Sequence, residues 1–232
     1  MPTIPYQLPD GTPVRGVTTI IGQNLGRNKE ALKYWAWDLG MQGLDYRKSL
    51  QESCDAGTIT HGLIDADVKG YEYPMPAGVT DDVIERGYNG FWNFTKWKEM
   101  VKFKPIVTEI SMVVCVERGD PPSKFYFGMT PDCIAEVTGQ LAIVDYKTSK
   151  GVYGDHRIQI SAYSHGWNIN FPDKELVGGH HLLQIGKDDA SFHHHFWQSL
   201  EKEWTVFLAL LLIDNLWPDI EGKKRRGARK NV

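Results

Sequence analysis

Two short apolar runs, residues 133–137 and 141–144, flank the pair Thr138-Gly139. Apolar runs on either side of a glycine-containing turn read as a β-hairpin. With a two-residue turn, Val137 faces Gln140, and the same pairing sets Asp132 opposite Asp145. A four-residue loop keeps that register, whereas a three-residue loop or a bulge breaks it. The two carboxylates then stand on one face with Cβ atoms roughly 5 Å apart. Lys147 lies two residues beyond Asp145. It projects from that same face, because side chains alternate along a strand.

Like charges set opposite each other at the end of a buried strand are costly. A divalent cation offsets that cost directly, and hard carboxylate oxygens suit Mg²⁺ or Mn²⁺. The Lys147 ammonium can hold a water or a phosphate oxygen beside the ion. Asp, followed by Asp-x-Lys on the neighbouring strand, is therefore equipment for metal-assisted attack of water on a phosphodiester.

Pro131-Asp132 followed by Asp145-Tyr146-Lys147 resembles the signature of the PD-(D/E)xK nucleases. The run Val144-Asp145-Tyr146-Lys147-Thr148-Ser149 is especially similar to the RecB-type branch. That branch includes phage and bacterial exonucleases and the mitochondrial genome maintenance exonuclease. The resemblance implies an α/β fold with a restriction-endonuclease-like core, meaning a mixed central sheet flanked by helices. Helical N-terminal additions are expected over residues 1–103, the catalytic core over 104–217 and a basic tail over 218–232.

Three accessory patterns extend the resemblance. Gly57-Thr58-Ile59-Thr60-His61 is similar to the RecB-type helix that offers a histidine to the metal, which makes His61 a metal or active-site residue. Asp65, four residues on, shares its helical face and either orients the imidazole or is solvated, the second being favoured. Glu109, inside an expected strand over 106–116, matches the acidic residue that relatives carry near the ions; the plainer alternative is an exposed strand glutamate. Gln159 and Tyr163, four apart on the helix after the Lys strand, resemble a Gln-x-x-x-Tyr motif that supports the active site and touches the substrate backbone. The Tyr146 carbonyl is a natural further oxygen ligand. Arg157 either binds phosphate or is solvated.

Composition narrows the alternatives. The 232 residues are 41% hydrophobic and 24% charged, with a formal net charge of -3, so no global basic field announces nucleic acid. Local patches matter more than totals. Eight Trp and ten Tyr are many, and each either fills the core or offers a stacking face to an unpaired base. Cys54, Cys115 and Cys133 have no CxxC spacing, and three cysteines cannot hold a four-cysteine iron–sulfur cluster. No apolar run is long enough to cross a bilayer, and no N-terminal apolar leader is expected. The expected compartment is a reducing cytoplasm, bacterial or that of a phage-infected host, and no membrane partner is expected.

The remaining chain reads as connected helices and strands. Residues 17–21 are a β-prone run or a helix start capped by Thr18. Residues 28–50, 52–69 and 81–102 read as helices; the aromatic and lysine residues of the last either line a strand groove or pack in the core. A polar turn holds Pro121-Pro122, and 155–168 is a helix. Residues 179–187 and 191–197 are strands, and 200–216 is an apolar helix. Of His193-His194-His195, only the outer two can share an ion, and a structural role is the simpler reading. The basic run 223–230 either contacts phosphates or is a solvated end.

Together these features predict a Mg²⁺- or Mn²⁺-dependent nuclease acting on DNA phosphodiesters. By resemblance it is an exonuclease of recombination, repair or phage DNA processing, with DNA ends as partner and a single-strand annealing or replication protein alongside. A structure-specific endonuclease, a non-catalytic nucleic-acid-binding protein with a nuclease fold, and a small-substrate phosphatase are the alternatives.

Overall fold

A computed structural model describes residues 5–26, 29–119 and 123–222. The basic run 223–230 and the Pro121-Pro122 turn lie outside the described residues. In chain order the elements are β1 (Tyr6–Gln7), β2 (Pro13–Val14), α1 (Val17–Asn24), α2 (Lys29–Met41), α3 (Tyr46–Lys69), α4 (Asp81–Met100), β3 (Phe103–Thr108), β4 (Met112–Arg118), β5 (Ser123–Met129), β6 (Cys133–Val137), β7 (Gln140–Lys147), α5 (Gly154–Asn170), β8 (His180–Ile185), β9 (Phe192–Trp197) and α6 (Glu201–Ile220).

The hairpin forms in the expected register. Val137 pairs with Gln140 and Cys133 with Val144, which carries Asp132 opposite Asp145. The turn residues Thr138 and Gly139 have φ of 53° and 87°. Two positive φ values in a two-residue turn match the right-handed twist of the strands, and the glycine takes its share without strain.

This hairpin is the centre of a five-stranded mixed sheet in the order β3-β6-β7-β8-β9. All pairs are antiparallel except β7 and β8, which the α5 crossover makes parallel. Helices cover both faces. Cys133, Ala135, Val137, Ala142, Val144 and Tyr146 pack with Ile64, Phe94 and Trp97 of α3 and α4. Ile134, Ile143 and Leu182 pack with residues of α1, α5 and α6 on the other side. A strand buried on both faces reads as a continuous apolar run, which is why β6 and β7 show no polar alternation. Asp145 and Lys147 share the face of Ile143, so they point toward the α5 side.

Several expected boundaries shift. Residues 28–50 do not form one helix: α2 ends at Met41, and α3 begins at Tyr46 and runs through to Lys69. Gly43 at φ 72° turns the chain, and Asp45 then caps α3 by accepting from the Arg47 N–H. Residues 17–21 open a helix capped by Gly16, not Thr18. The strand expected over 106–116 is two strands in different sheets, because Glu109 adopts φ 52° and breaks the extended run. β4 pairs with β5 in a separate two-stranded sheet packed against α5 and α6, so 125–129 enters the hairpin from another layer.

Candidate functional site

The site begins with the way Asp132 ends its strand. Its Oδ2 accepts from the Tyr146 main-chain N–H at 2.8 Å, which closes the β7 end of the ladder. Its carbonyl accepts from the Glu109 N–H at 3.2 Å. The left-handed turn at Glu109 thus sits on the chain next to Asp132 and delivers a second carboxylate there. A non-glycine residue with positive φ stores strain of about 1–3 kcal/mol, and such strain persists where the surroundings over-determine it.

The third arm comes from α3. A Cβ on Gly57 would lie 2.7 Å from Thr148 Oγ1, so the bare glycine is what lets the helix settle against the chain just past Lys147. One turn later, on the same helical face, His61 reaches the carboxylates. Its Nδ1 lies 3.7 Å from Asp132 Oδ1. Ligand atoms of His61, Glu109 and Asp132 all fall within 4.8 Å of one another. His61, Ile64, Asp65, Thr108, Glu109, Asp132 and Tyr146 line a cavity of about 10 Å³, room for roughly one water-sized particle.

Asp145 and Lys147 complete the arrangement from β7. Lys147 Nζ lies 2.6 Å from Asp145 Oδ2, with the Asp145 side chain buried and that of Lys147 half-buried. Asp145 Oδ1 is buried with no hydrogen-bond partner among the described residues. The trio whose ligand atoms lie within 4.8 Å of one another does not include Asp145, whose Oδ2 faces Lys147; the strand register still carries Asp145 opposite Asp132.

The electrostatics are those of a site short of positive charge. Burial, then Asp132 and Asp65, push the Glu109 carboxyl up to about 8. Burial raises Asp132 despite Lys147 and the Tyr146 N–H, and it raises Asp145 despite Lys147. Burial and Lys147 lower His61 to about 4, while Asp145 and the Tyr146 backbone pull the other way. Burial opposes the Lys147 charge, but Asp145 and Asp132 together outweigh it and hold its pKa above the ordinary lysine value. Lys147 is thus an ammonium throughout the physiological range.

The fit to a divalent cation can be judged from these groups. The donors are nitrogen and carboxylate oxygen, with no thiolate among them. One buried carboxylate oxygen lacks a partner, and Glu109 is ionised only at a cost that a cation would remove. The 3.7 Å between His61 Nδ1 and Asp132 Oδ1 lies within the about 4.2 Å that separates opposite ligands of Mg²⁺. The residues fit Mg²⁺ or Mn²⁺.

Other expected residues divide. Gln159 Nε2 donates to Tyr163 Oη at 2.9 Å, so the pair shares a face as expected. Asp145 and Asp132 both act on the buried Tyr163 hydroxyl, whose pKa burial raises well above 10. Arg157 does not join them: it ion-pairs with Glu203 of α6 and stacks 5.4 Å from the Trp197 ring centroid. Asp65 is not solvated. It accepts from Thr108 Oγ1 at 2.7 Å, Tyr71 Oη at 2.9 Å and Lys69 Nζ, which outweigh burial and hold its pKa down. It ties α3 to the end of β3 without touching the imidazole. His156, in the first turn of α5, lies within the field of Lys147 and Asp145, and no motif in the sequence marked it.

His193, His194 and His195 alternate along β9. His194 Nε2 lies 2.8 Å from His181 Nδ1, and the two rings stack. His193 and His195 hold no ion-ligand cluster among the described residues. Cys54, Cys115 and Cys133 are all free thiols. No helix among the described residues is long and apolar enough to cross a membrane.

No family model matches this chain, and no curated protein matches it. Among solved structures, the crystal structure of SSO0001 is similar with a TM-score of 0.34 and 12% identity, over 70% of this chain and 74% of that one. A likeness of that degree carries no argument about function.

Proposed function

We propose that this chain is a divalent-cation-dependent deoxyribonuclease of the PD-(D/E)xK, RecB type, with a preference for strand ends. What carries the proposal is one geometric relationship: His61, Glu109 and Asp132 offer ligand atoms within 4.8 Å of one another, at the end of the strand that bears Asp145 and Lys147.

A bound Mg²⁺ or Mn²⁺ would supply Lewis acidity, lowering the pKa of a water and neutralising charge on the scissile phosphate. His61, Glu109 and Asp132 would hold it, with the Tyr146 carbonyl and the unpartnered Asp145 oxygen beside them. Lys147, held beside Asp145, would act as a hydrogen-bond donor to water or to a phosphate oxygen. Asp145 keeps that ammonium in place. Gln159 donates to the Tyr163 oxygen, which leaves the Tyr163 proton free to bond a substrate phosphate oxygen. Such preorganised donors stabilise developing negative charge in a site where water is excluded.

The test is an assay on 5′- and 3′-labelled DNA, linear and circular, single- and double-stranded, with Mg²⁺, Mn²⁺ or EDTA. Cleavage that needs the metal and spares circles supports the proposal. Cleavage of circles as well would make the enzyme an endonuclease. Metal-dependent cleavage that survives in Asp132→Ala, Asp145→Ala and Lys147→Ala alike would refute the assignment. Binding of DNA with no turnover would leave a nucleic-acid-binding protein.

A further inference from the structure

A second cleft of about 400 Å³ opens beyond the ends of the parallel strands β7 and β8. Thr148, Gln184 and Lys187 are among the residues lining it. In open α/β sheets, ligands bind outside the carboxyl ends of parallel strands. Here the two strand ends are adjacent, since Lys147 pairs with Gln184.

The unusual group in this cleft is Lys187. It is only 6% exposed. Its ammonium donates to Ser53 O at 2.7 Å and Ser53 Oγ at 3.0 Å, and no carboxylate among the described residues pairs with it. Asp188 and Asp189 also line the cleft, and each already has a partner. Asp188 holds Arg86 at 2.7 Å, and Asp189 accepts from the Ser191 N–H at 3.1 Å. The loop is also anchored from below, because Asn93 donates to Gly186 O at 3.0 Å and Asp189 O at 2.8 Å. Burial and Arg86 lower the Lys187 pKa while Asp188 pulls the other way, so an anion entering the cleft would favour the charged ammonium. Lys150, at the exposed rim, adds a second positive charge to the cleft.

The helix α3 connects this cleft to the carboxylate cluster. Ser53 holds Lys187, Gly57 lies on Thr148, and His61 meets Asp132. These three are spaced four residues apart and share one helical face. Eight residues of helix rise about 12 Å, which matches the axial rise of three to four stacked nucleotides in one strand.

We propose that Lys187 and its cleft form a second phosphate site, which grips the backbone of the nucleic-acid strand three to four nucleotides from the bond being cut. The proposal rests on the nuclease assignment above, and it adds the substrate class of the cleft: a polynucleotide long enough to span both sites, not a mononucleotide. The Lys187 ammonium supplies the charge, and the loop held by Asn93 keeps it in place.

The experiment measures binding of a fluorescent single-stranded oligonucleotide by anisotropy, with Ca²⁺ in place of the catalytic ion, across a salt series. Lys187→Gln keeps a polar group for Ser53 and removes the charge. It is expected to bind about tenfold more weakly and to lower the slope of log K against log salt by about 0.7, the value of one single-strand phosphate contact. In cleavage by the wild type, a neutral methylphosphonate linkage three or four positions from the cut is expected to slow the reaction, with no further effect in Lys187→Gln.

A Lys187→Gln protein with the wild-type slope and wild-type affinity overturns the second site while leaving the nuclease assignment standing. Should that variant melt too low to assay, Lys150→Gln carries the same measurement, and an unchanged slope there also overturns the proposal. A wild-type protein that neither binds nor cuts any DNA overturns the nuclease assignment, and this site with it.

Discussion

Asp132 and Tyr146 are joined by a hydrogen bond from the Tyr146 main-chain N–H to Asp132 Oδ2, at 2.8 Å. The same carboxylate turns its Oδ1 to His61 at 3.7 Å. One side chain thus closes the hairpin and faces the cavity, and the two duties can be separated. Asp132→Asn retains an oxygen acceptor for Tyr146 and removes a charge that burial penalises. In EDTA its melting temperature is expected to equal or exceed that of the wild type. Asp132→Ala leaves the Tyr146 N–H without its acceptor and costs about 1–3 kcal/mol. Both variants are expected to lose metal-dependent cleavage. Calorimetry beside the nuclease assay checks the split; equal melting of the two would refute it.

Glu109 links pH to metal binding. Its folded pKa is raised from 4.5 to about 8, so the folded state holds this proton more tightly than the unfolded chain does. Stability without metal therefore contains a term that falls as pH rises from about 4.5 to about 8. His61, lowered to about 4, contributes the opposite sign below its unfolded value of 6.5, where the unfolded chain binds more protons. Between pH 6.5 and 8 the Glu109 term stands alone of the two, and Glu109→Gln is expected to flatten it. The rise in melting temperature caused by Mn²⁺ is expected to grow over the same window, because the ion displaces the proton. A metal shift that does not depend on pH would contradict this.

Lys147 and Asp145 form a buried pair, at 15% and 1% side-chain exposure. Removing one partner of such a pair strands the other charge and costs about 3–5 kcal/mol. Lys147→Met is expected to lower stability by that order, and Asp145→Leu in the same chain to recover most of it. Neither protein is expected to cleave DNA. Urea unfolding of the two single variants and the double variant measures the coupling directly; additive losses would mean the pair is not coupled.

Gly87 lets α4 approach α3. A Cβ there would lie 2.4 Å from Ile59 Cγ2 and 2.7 Å from its Cβ, and Ile59 is fully buried. Gly87→Ala raises intrinsic helix propensity by about 1 kcal/mol, yet overpacking of this kind costs about 1–3 kcal/mol. Net destabilisation is expected, a fall of a few degrees in melting temperature by calorimetry. A more stable Gly87→Ala protein would show that the two helices separate freely.

The hairpin and its register were legible because the information is local. Two apolar runs and a Thr138-Gly139 turn leave one pairing that keeps both runs buried. The spacing of Asp145 and Lys147, and of Gln159 and Tyr163, follows from strand and helix periods in the same way. The break at Glu109 was not legible. Residues 106–116 are apolar enough for one strand, and the turn is imposed by the separate pairing of β4 with β5. The ion pair of Arg157 was not legible either, because its partner Glu203 lies on another helix, far along the chain.

The order of residues along the chain therefore determined that Asp132, Asp145 and Lys147 would lie together at one sheet end, since neighbouring strands joined by a tight turn have little freedom. Which carboxylate stands beside Asp132 was decided only by tertiary structure. A lysine two residues away neutralises Asp145, and a left-handed turn brings in Glu109, while the glycine face of α3 admits His61. Those arrangements depend on desolvation and on contacts between distant segments, and neither is encoded in spacing.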